Sequence, residues 1–152
     1  MLILIRNTTM TMLNIHPQKH LPESIQYLYQ VHQNILDLDL INRSLYHLVL
    51  LRASQINGCA YCVKMHIAEA LADGEVQSRL DRLVVWRHCN DYTDQEKAAF
   101  AWVEALTTLH VLTEYEALRI TLLKYFSEQQ ISALTLLVGM INLWNRIAIS
   151  QH

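Results

Sequence analysis

The chain contains only three glycines and two prolines among its 152 residues, and this scarcity of helix-breaking residues is what most constrains its fold. Apolar side chains recur at intervals of three and four residues, which is the period of an amphipathic helix. Residues 22–36 show this spacing first, with a proline at the start of the segment. We find no run of alternating strand residues bounded by turns. The sequence therefore predicts an all-α fold of about six to seven helices.

Turn residues predict the boundaries of the next helices. Asp39 is expected to cap a second helix that runs to Ile56. The dipeptide Asn57-Gly58 is typical of a turn, so a third helix should start at Cys59 and end near Gly74. A fourth helix is expected over residues 80–87.

Capping residues predict three further helices. Each begins with a hydroxyl residue that stands three positions before Glu or Gln, the spacing of a capping box. The expected helices span 93–109, 113–126 and 127–149, with Thr93, Thr113 and Ser127 at their starts.

Length and composition limit the class of protein. A chain of this length predicts a single domain over residues 1–152, in which residues 1–12 form a poorly structured extension. The net charge of −2 is spread over both signs, which argues against binding to nucleic acid or to a membrane surface. The N-terminal apolar run is too short for a signal peptide, and the run Leu134–Ile141 is too short to span a bilayer. We therefore expect a soluble, cytoplasmic protein.

The segment Cys59-Ala60-Tyr61-Cys62, with His66 four residues later, carries the chemistry. Its position at the predicted start of a helix places the thiols near unpaired N–H groups and the positive end of the helix dipole, which favour a thiolate. Thiols in such a motif often have a pKa near or below ~7, against ~8.5 for a free cysteine. The sequence therefore predicts a reactive dithiol.

Helical spacing predicts the neighbours of the dithiol. Positions 59, 62, 66 and 69 lie on one stripe of a helix, and cysteines three apart have Cα atoms about 5 Å apart, close enough for a disulfide. Reflection through the Asn57-Gly58 turn sets His47 opposite this stripe, so His47 is expected to face His66. An imidazole near neutral pKa suits the proton transfers that thiol attack on a peroxide requires.

These residues resemble the carboxymuconolactone decarboxylase superfamily, in its AhpD-like alkylhydroperoxidase branch. The shared signature is Glu-X11-Cys-X-X-Cys-X-X-X-His. The segment 52–62 is similar to the core of the family, and the segments 93–106, 126–128 and 142–146 resemble its short members. The resemblance covers residues 13–149 and implies an AhpD-like helical domain with the two cysteines at a helix N-terminus.

The resemblance also implies residue roles and partners. Cys62 would attack a hydroperoxide and become a sulfenic acid, Cys59 would resolve it to a disulfide, and His66 would belong to a proton relay. An external dithiol system would reduce the disulfide, no cofactor would be needed, and the protein would form homo-oligomers, either trimers or hexamers. The excess of apolar residues, 52% against 17% charged, is consistent with covered subunit faces.

One position departs from the family pattern. The glutamate that stands twelve residues before the first cysteine in the family is His47 here. A second imidazole can pass protons but does not stabilise a charged His66, so we expect a reduced peroxidase rate or a changed pH optimum. Glu69, on the same stripe as His66, is a candidate replacement for the missing carboxylate.

Other interpretations of these residues remain open. Cys59, Cys62, His66 and His47 together would make a Cys2His2 zinc site. A redox-sensing or disulfide-exchange protein would oxidise the same thiols without useful turnover. Decarboxylase chemistry does not depend on a cysteine pair, so the two thiols argue against it. Tyr61 could line a substrate cavity, although a tyrosine at a helix start is more often a packing residue. Cys89 is interpreted as a plain, partly buried thiol. The segment Trp144-Asn145-Arg146 is interpreted as fixing helix packing or a subunit contact.

Overall fold

The computed structural model describes residues 15–151, and every regular element in that range is a helix, which confirms the predicted all-α fold. Residues 1–12, predicted as an N-terminal extension, lie outside the described residues. A 3₁₀ segment, Leu83–His88, separates the fifth and sixth α-helices. The α-helices are α1 (Pro17–His20), α2 (Pro22–Asp37), α3 (Arg43–Asn57), α4 (Ala60–Ala72), α5 (Gln77–Arg82), α6 (Asp94–Thr108), α7 (Tyr115–Leu122) and α8 (Glu128–Ile149).

The described residues form eight α-helices rather than six to seven. The additional helix is α1, a four-residue turn that begins with Pro17. The predicted fourth helix ends as α5 at Arg82 and continues as the 3₁₀ segment, in which Val85 has non-helical dihedral angles (φ −120°, ψ 25°). Two adjacent β-branched residues, Val84 and Val85, disfavour a continuous α-helix at this point.

Two of the three predicted capping boxes are confirmed. The hydroxyl of Thr93 accepts a hydrogen bond from the Glu96 N–H, and the Glu96 carboxylate accepts one from the Thr93 N–H. Ser127 and Gln130 form the same reciprocal pair at the start of α8. The residue chemistry at these two positions therefore fixes where α6 and α8 begin.

Two predicted caps are wrong. Asp39 has a left-handed conformation (φ 49°), and the cap of α3 is instead Asn42, whose side chain accepts from the Leu45 N–H. Thr113 does not cap α7, because its carbonyl accepts from the Tyr115 N–H in a tight turn and the helix begins only at Tyr115. Helix α7 ends at Leu122, four residues before its predicted end.

Helix α3 lies at the centre of the core and packs against α4, α6 and α8. Its side chains are buried on nearly every face, as expected for a helix that is surrounded by others. Phe100 of α6 and Leu134 of α8 are fully buried against it. The buried apolar residues of α3 are Leu45, Leu48, Val49, Leu50, Leu51 and Ala53.

Helix α8 is long and apolar enough, by length and mean hydropathy, to cross a membrane. Core helices of water-exposed domains meet the same criterion, and here Leu134, Leu137 and Ile141 are part of the core. Asn145 on the same helix is fully buried and donates to the hydroxyl of Ser54 in α3, a contact that needs a protein neighbour. We therefore describe α8 as a core helix.

The turn between α3 and α4 positions the cysteines. Gly58 has a left-handed conformation (φ 68°), which glycine adopts without steric cost, and the Cys59 N–H donates to the Ser54 carbonyl. The side chain of Asn57 donates to Asn142 and Asn145, which ties the turn to α8. The chain is thus reversed and anchored immediately before the first cysteine.

Candidate functional site

Cys59 and Cys62 form a disulfide at the start of α4, with their Cα atoms 5.3 Å apart, close to the separation predicted from helical spacing. Cys59 is the N-cap of the helix, and its Sγ accepts a hydrogen bond from the Cys62 N–H at 3.3 Å. Both residues are buried, with exposures of 1% and 3%. The predicted location of the pair at a helix N-terminus is confirmed.

A cavity of about 470 Å³ lies beside Cys62. Residues of α2, α3, α4 and α8 line it, so it forms only when the first half of the chain packs against the last helix. Tyr61, which is 57% exposed, lies at its wall, the less common of the two positions considered for it from the sequence. The polar, aromatic and sulfur-bearing residues of its wall include Cys62, His66 and Glu69 from α4, Tyr46 from α3, Tyr29 and His32 from α2, and Trp144 from α8.

The side chains of His66 and Glu69 form a pair within this cavity wall. Nδ1 of His66 lies 3.1 Å from Oε2 of Glu69. A carboxylate can only accept, so Nδ1 carries the hydrogen and Nε2 keeps its lone pair. That Nε2 is buried and has no hydrogen-bond partner among the described residues. Neutral His66 therefore has a free base nitrogen one helical turn from Cys62.

Burial is the main influence on the protonation of His66. It lowers the pKa of His66 from the ordinary value, because an apolar environment disfavours the charged imidazolium. The hydrogen bond to Glu69 and the charge of that carboxylate oppose this shift, whereas the charges of His47 and His32 lower the pKa further. His66 is thus set to remain neutral near pH 7 and to accept a proton with help from Glu69.

His47 has a different partner from the predicted one. Its imidazole is 2% exposed, and Nε2 lies 2.6 Å from Oδ2 of Asp73, the residue that ends α4. Asp73 also accepts from Nε of Arg43. The hydrogen bonds from His47 and Arg43 lower the pKa of Asp73 below its usual value. His47 acts on His66 through its charge, and its hydrogen bond is to Asp73 rather than to His66.

A hydrogen-bonded chain of three other side chains also lines the cavity. Nε1–H of Trp144 donates to Nδ1 of His32 at 3.3 Å, and Nε2 of His32 lies 3.1 Å from the hydroxyl of Tyr46. Because an indole can only donate, Nδ1 of His32 must accept and Nε2 must carry the hydrogen. The ring of Tyr29 stacks on Trp144, with centroids 4.7 Å apart, and holds it in place.

This tautomer determines what Tyr46 can do. The Tyr46 oxygen accepts from His32, so its own hydrogen is available to another acceptor. Burial, with the charge of Glu69, raises the pKa of Tyr46 to about 12, so the hydroxyl stays protonated at neutral pH. Burial likewise lowers the pKa of His32 and keeps that imidazole neutral. The cavity thus contains a hydrogen-bond donor facing the same space as the cysteine and the base.

Sequence reasoning missed three of these residues. His32, Tyr46 and Trp144 come from three different helices, and Trp144 was interpreted as a packing or subunit-contact residue. The only signal in the sequence was that Trp144 lies in a segment that resembles the family. Asn145 does act in packing, as predicted, and Cys89 lies outside the cavity with its Sγ directed to the carbonyl of Val85.

The side chains considered for a zinc site do not form a ligand set. The sulfurs of Cys59 and Cys62 are bonded to each other, and Nε2 of His47 is bonded to Asp73. Within residues 15–151 no three His, Cys, Asp or Glu side chains are grouped so as to hold a metal ion.

Comparison with known proteins identifies the family. The model of the carboxymuconolactone decarboxylase family matches residues 22–105. The uncharacterized protein YdfG of Bacillus subtilis is 36% identical over 111 residues, which are 73% of this chain and 76% of YdfG. The crystal structure of a protein of unknown function from Agrobacterium tumefaciens, provisionally assigned as the antioxidant defence protein AhpD, has a TM-score of 0.83 and 36% identity, over 91% of this chain and 94% of that one. The chain belongs to the carboxymuconolactone decarboxylase family, in its AhpD-like branch.

Proposed function

We propose that this protein is a thiol-dependent peroxidase that reduces alkyl hydroperoxides or hydrogen peroxide through a Cys62 sulfenate and a Cys59–Cys62 disulfide. The observation that carries the proposal is the free Nε2 of His66, a buried base in the wall of the cavity that Cys62 also lines. The likeness to a structure provisionally assigned to antioxidant defence supports the same class of reaction.

The first half of the reaction uses Cys62 and His66. Nε2 of His66 takes the proton of the Cys62 thiol, and the hydrogen bond to Glu69 stabilises the resulting imidazolium. The thiolate attacks one peroxide oxygen, the O–O bond breaks, and Cys62 becomes a sulfenic acid. The imidazolium returns its proton to the departing alkoxide, which leaves as an alcohol. Tyr46 donates a hydrogen bond to a peroxide oxygen and orients the substrate.

The second half uses Cys59. Its thiolate, favoured at the N-terminus of α4, attacks the sulfur of Cys62. The S–O bond of the sulfenic acid breaks, water leaves, and the disulfide forms. Overall, one hydroperoxide and two thiols give one alcohol, one water and one disulfide. An external dithiol must then return two electrons for each turnover.

The proposal extends to assembly and location. We place the protein in the cytoplasm, where the reducing environment keeps a dithiol available for reaction. We propose a homotrimer or a homohexamer, which is supported by the apolar loop between α6 and α7, where Leu109, Val111 and Leu112 are 63%, 92% and 79% exposed. Light scattering coupled to size-exclusion chromatography tests the oligomer directly, and a monomeric mass would overturn it.

The decisive experiment is rapid mixing of the reduced protein with an organic hydroperoxide, followed by acid quench and intact mass. The parent should lose two hydrogens at a rate far above that of an ordinary thiol. Cys62→Ser should not be oxidised at this rate, whereas Cys59→Ser should gain one oxygen and stop. Slow oxidation of the parent, no faster than that of the isolated thiol of Cys89 in a Cys59→Ser/Cys62→Ser control, would overturn the proposal.

One observation favours a second candidate function, that of a redox sensor or disulfide-exchange protein. The family glutamate is His47 here, and it is bonded to Asp73. A sensor would oxidise once and would then fail to turn over when a dithiol reductant is supplied. Sustained consumption of hydroperoxide over many equivalents of protein, with dithiothreitol as the reductant, separates the two functions.

A further inference from the structure

We propose that the reductant reaches the disulfide at Cys59, through a second cavity distinct from the one in which Cys62 meets the peroxide. This inference rests on the dithiol–disulfide cycle proposed above. It assigns a binding site for a small uncharged dithiol to residues Gly58, Cys59, Ala60, Tyr61 and Ile149.

The two sulfur-bearing residues line different spaces. Cys59 lines an open cavity of about 350 Å³ and is not part of the wall of the 470 Å³ cavity. Cys62 lines the larger cavity and not the smaller one. Tyr61, which stands between the two cysteines in sequence, contributes to both walls. Two consecutive residues of α8 also line different cavities: Ala148 lines the larger cavity and Ile149 lines the smaller one.

Because the two cysteines line different cavities, the geometry of thiol–disulfide exchange determines from which cavity each sulfur is attacked. An attacking thiolate approaches one sulfur from the side opposite to the sulfur that leaves. Attack on Cys59 must therefore come from the side away from Cys62, and Cys59 lines the smaller cavity but not the larger one. The same geometry sends the hydroxide of a Cys62 sulfenate away from Cys59, toward the larger cavity.

Departure of Cys62 releases its thiolate beside a proton-transfer group. Cys62 departs in the first turn of α4 and one turn from His66, whose free Nε2 exchanges the proton of this thiol. Expelling Cys62 also regenerates the nucleophile in the cavity where the next peroxide is bound.

The electrons balance over two steps. The first thiolate of the reductant bonds to Sγ of Cys59, the Cys59–Cys62 bond breaks, and Cys62 leaves as a thiolate. The second thiol of the reductant then attacks its own sulfur in the mixed disulfide, and Cys59 leaves. The reductant ends as a cyclic or linear disulfide, and the protein has gained two electrons and two protons. Of the described residues that line the smaller cavity, none is charged, which favours an uncharged dithiol.

Two substitutions on α8 test the division. Protein oxidised with diamide is mixed with dithiothreitol, and the rate of reduction is followed by acid quench and mass. Filling the smaller cavity with Ile149→Trp should slow reduction at least about fivefold more than Ala148→Leu does. For oxidation of the reduced protein by a hydroperoxide, Ala148→Leu should instead slow the reaction more than Ile149→Trp does. Leu136→Trp, on an exposed face of α8 outside both cavities, is the matched control.

These measurements separate the two proposals. Reduction of the diamide-oxidised protein does not depend on reactivity with peroxide, so a protein that fails as a peroxidase still reports which sulfur the reductant reaches. If Ile149→Trp and Ala148→Leu slow reduction equally, or if Ala148→Leu slows it more, the reductant uses the peroxide cavity and the inference is overturned.

A second measurement needs no substitution. The oxidised parent is treated briefly with 2-mercaptoethanol, a monothiol that leaves a mixed disulfide on whichever sulfur it attacks. Acid quench, digestion and mass spectrometry locate the adduct. We expect it on Cys59 at the shortest times, and a predominant adduct on Cys62 would contradict the assigned site.

Discussion

His47 and Asp73 form a 2.6 Å hydrogen bond between Nε2 and Oδ2, and this pair stands where the family resemblance places a glutamate. The carboxylate that contacts His66 comes instead from Glu69, three residues later on the same helix. His47 influences His66 only through its charge, which lowers the pKa of His66. Beyond the effect of burial, the pKa of His66 is therefore influenced by a carboxylate on its own helix and by a neighbouring imidazole.

Substitutions of His47 should move the pH profile of Cys62 oxidation. Oxidation requires a neutral His66 as base, so the rate falls as the pH drops through the pKa of His66. His47→Gln removes the charge that lowers this pKa, and His47→Glu reverses its sign. The acid limb of the pH–rate profile should therefore lie at the lowest pH with His at position 47, at a higher pH with Gln and at the highest pH with Glu. Stopped-flow oxidation rates between pH 5 and 8 provide the measurement, and a limb that does not move would exclude an electrostatic role for His47.

Glu69→Gln should have the opposite effect. Glu69 raises the pKa of His66 through its hydrogen bond and its charge, so its loss shifts the acid limb to lower pH. The plateau rate should fall less than the ~10²-fold or greater loss expected for His66→Gln, which removes the base itself. The same stopped-flow series applies. An upward shift of the limb would show that Glu69 does not stabilise the charged imidazole.

Tyr46→Phe should weaken binding of the hydroperoxide. It removes one donor worth ~1 kcal/mol, so KM should rise about 5- to 10-fold with a smaller change in kcat. Trp144→Phe should also raise KM, because His32 without the indole donor can adopt the other tautomer and take the Tyr46 hydrogen for itself. Steady-state kinetics measures both. Tyr27→Phe, which alters an exposed tyrosine of α2, is the control.

Stability should fall at acid pH through the buried histidines. Burial lowers the pKa of His66 and of His32 in the folded protein, so the unfolded chain binds more protons below the ordinary value of ~6.5. The free energy of unfolding should therefore decrease as the pH falls from about 6.5 toward the lowered values of the folded state. Urea unfolding at several pH values should show this slope, and His32→Gln should flatten it.

Asn145→Ala should destabilise the fold by about 1–3 kcal/mol, because it leaves buried partners without hydrogen bonds. Asn145 donates to Ser54 and accepts from Asn57, and these bonds join the end of α3 to α8. Urea unfolding at neutral pH measures the loss. The exposed Asn90→Ala serves as control, and a loss for Asn145→Ala no greater than for the control would show that the network contributes nothing.

The helix boundaries that could be predicted from the sequence are those determined by residues close to one another in the chain. Thr93 and Ser127 each have their capping partner three residues away, so four consecutive residues are enough to predict where the helix begins. Asp39 and Thr113 also have side chains that can cap a helix. The backbone conformation of the preceding turns, however, makes each helix begin at a later residue. The spacing of residues in the sequence does not reveal that conformation. The break at Val85 had a local cause in two adjacent β-branched residues.

The same distinction applies to the site. The stripe of Cys62, His66 and Glu69 follows from helical periodicity on one element, so it could be predicted. His32 and Trp144 are 112 residues apart in sequence and meet only because α2 packs against α8. No spacing rule relates them, and the tautomer that they impose could be found only from the assembled cavity.

Tyr61 lines both of the cavities that border the cysteine pair, and Ala148 lines one of them and Ile149 the other. Substitutions that change which oxidant is accepted need not alter which electron donor is recognised, and the reverse also holds. Under the proposed cycle, oxidation and reduction of the cysteine pair are therefore open to separate selection, so a relative could acquire a new electron donor while keeping the same oxidant.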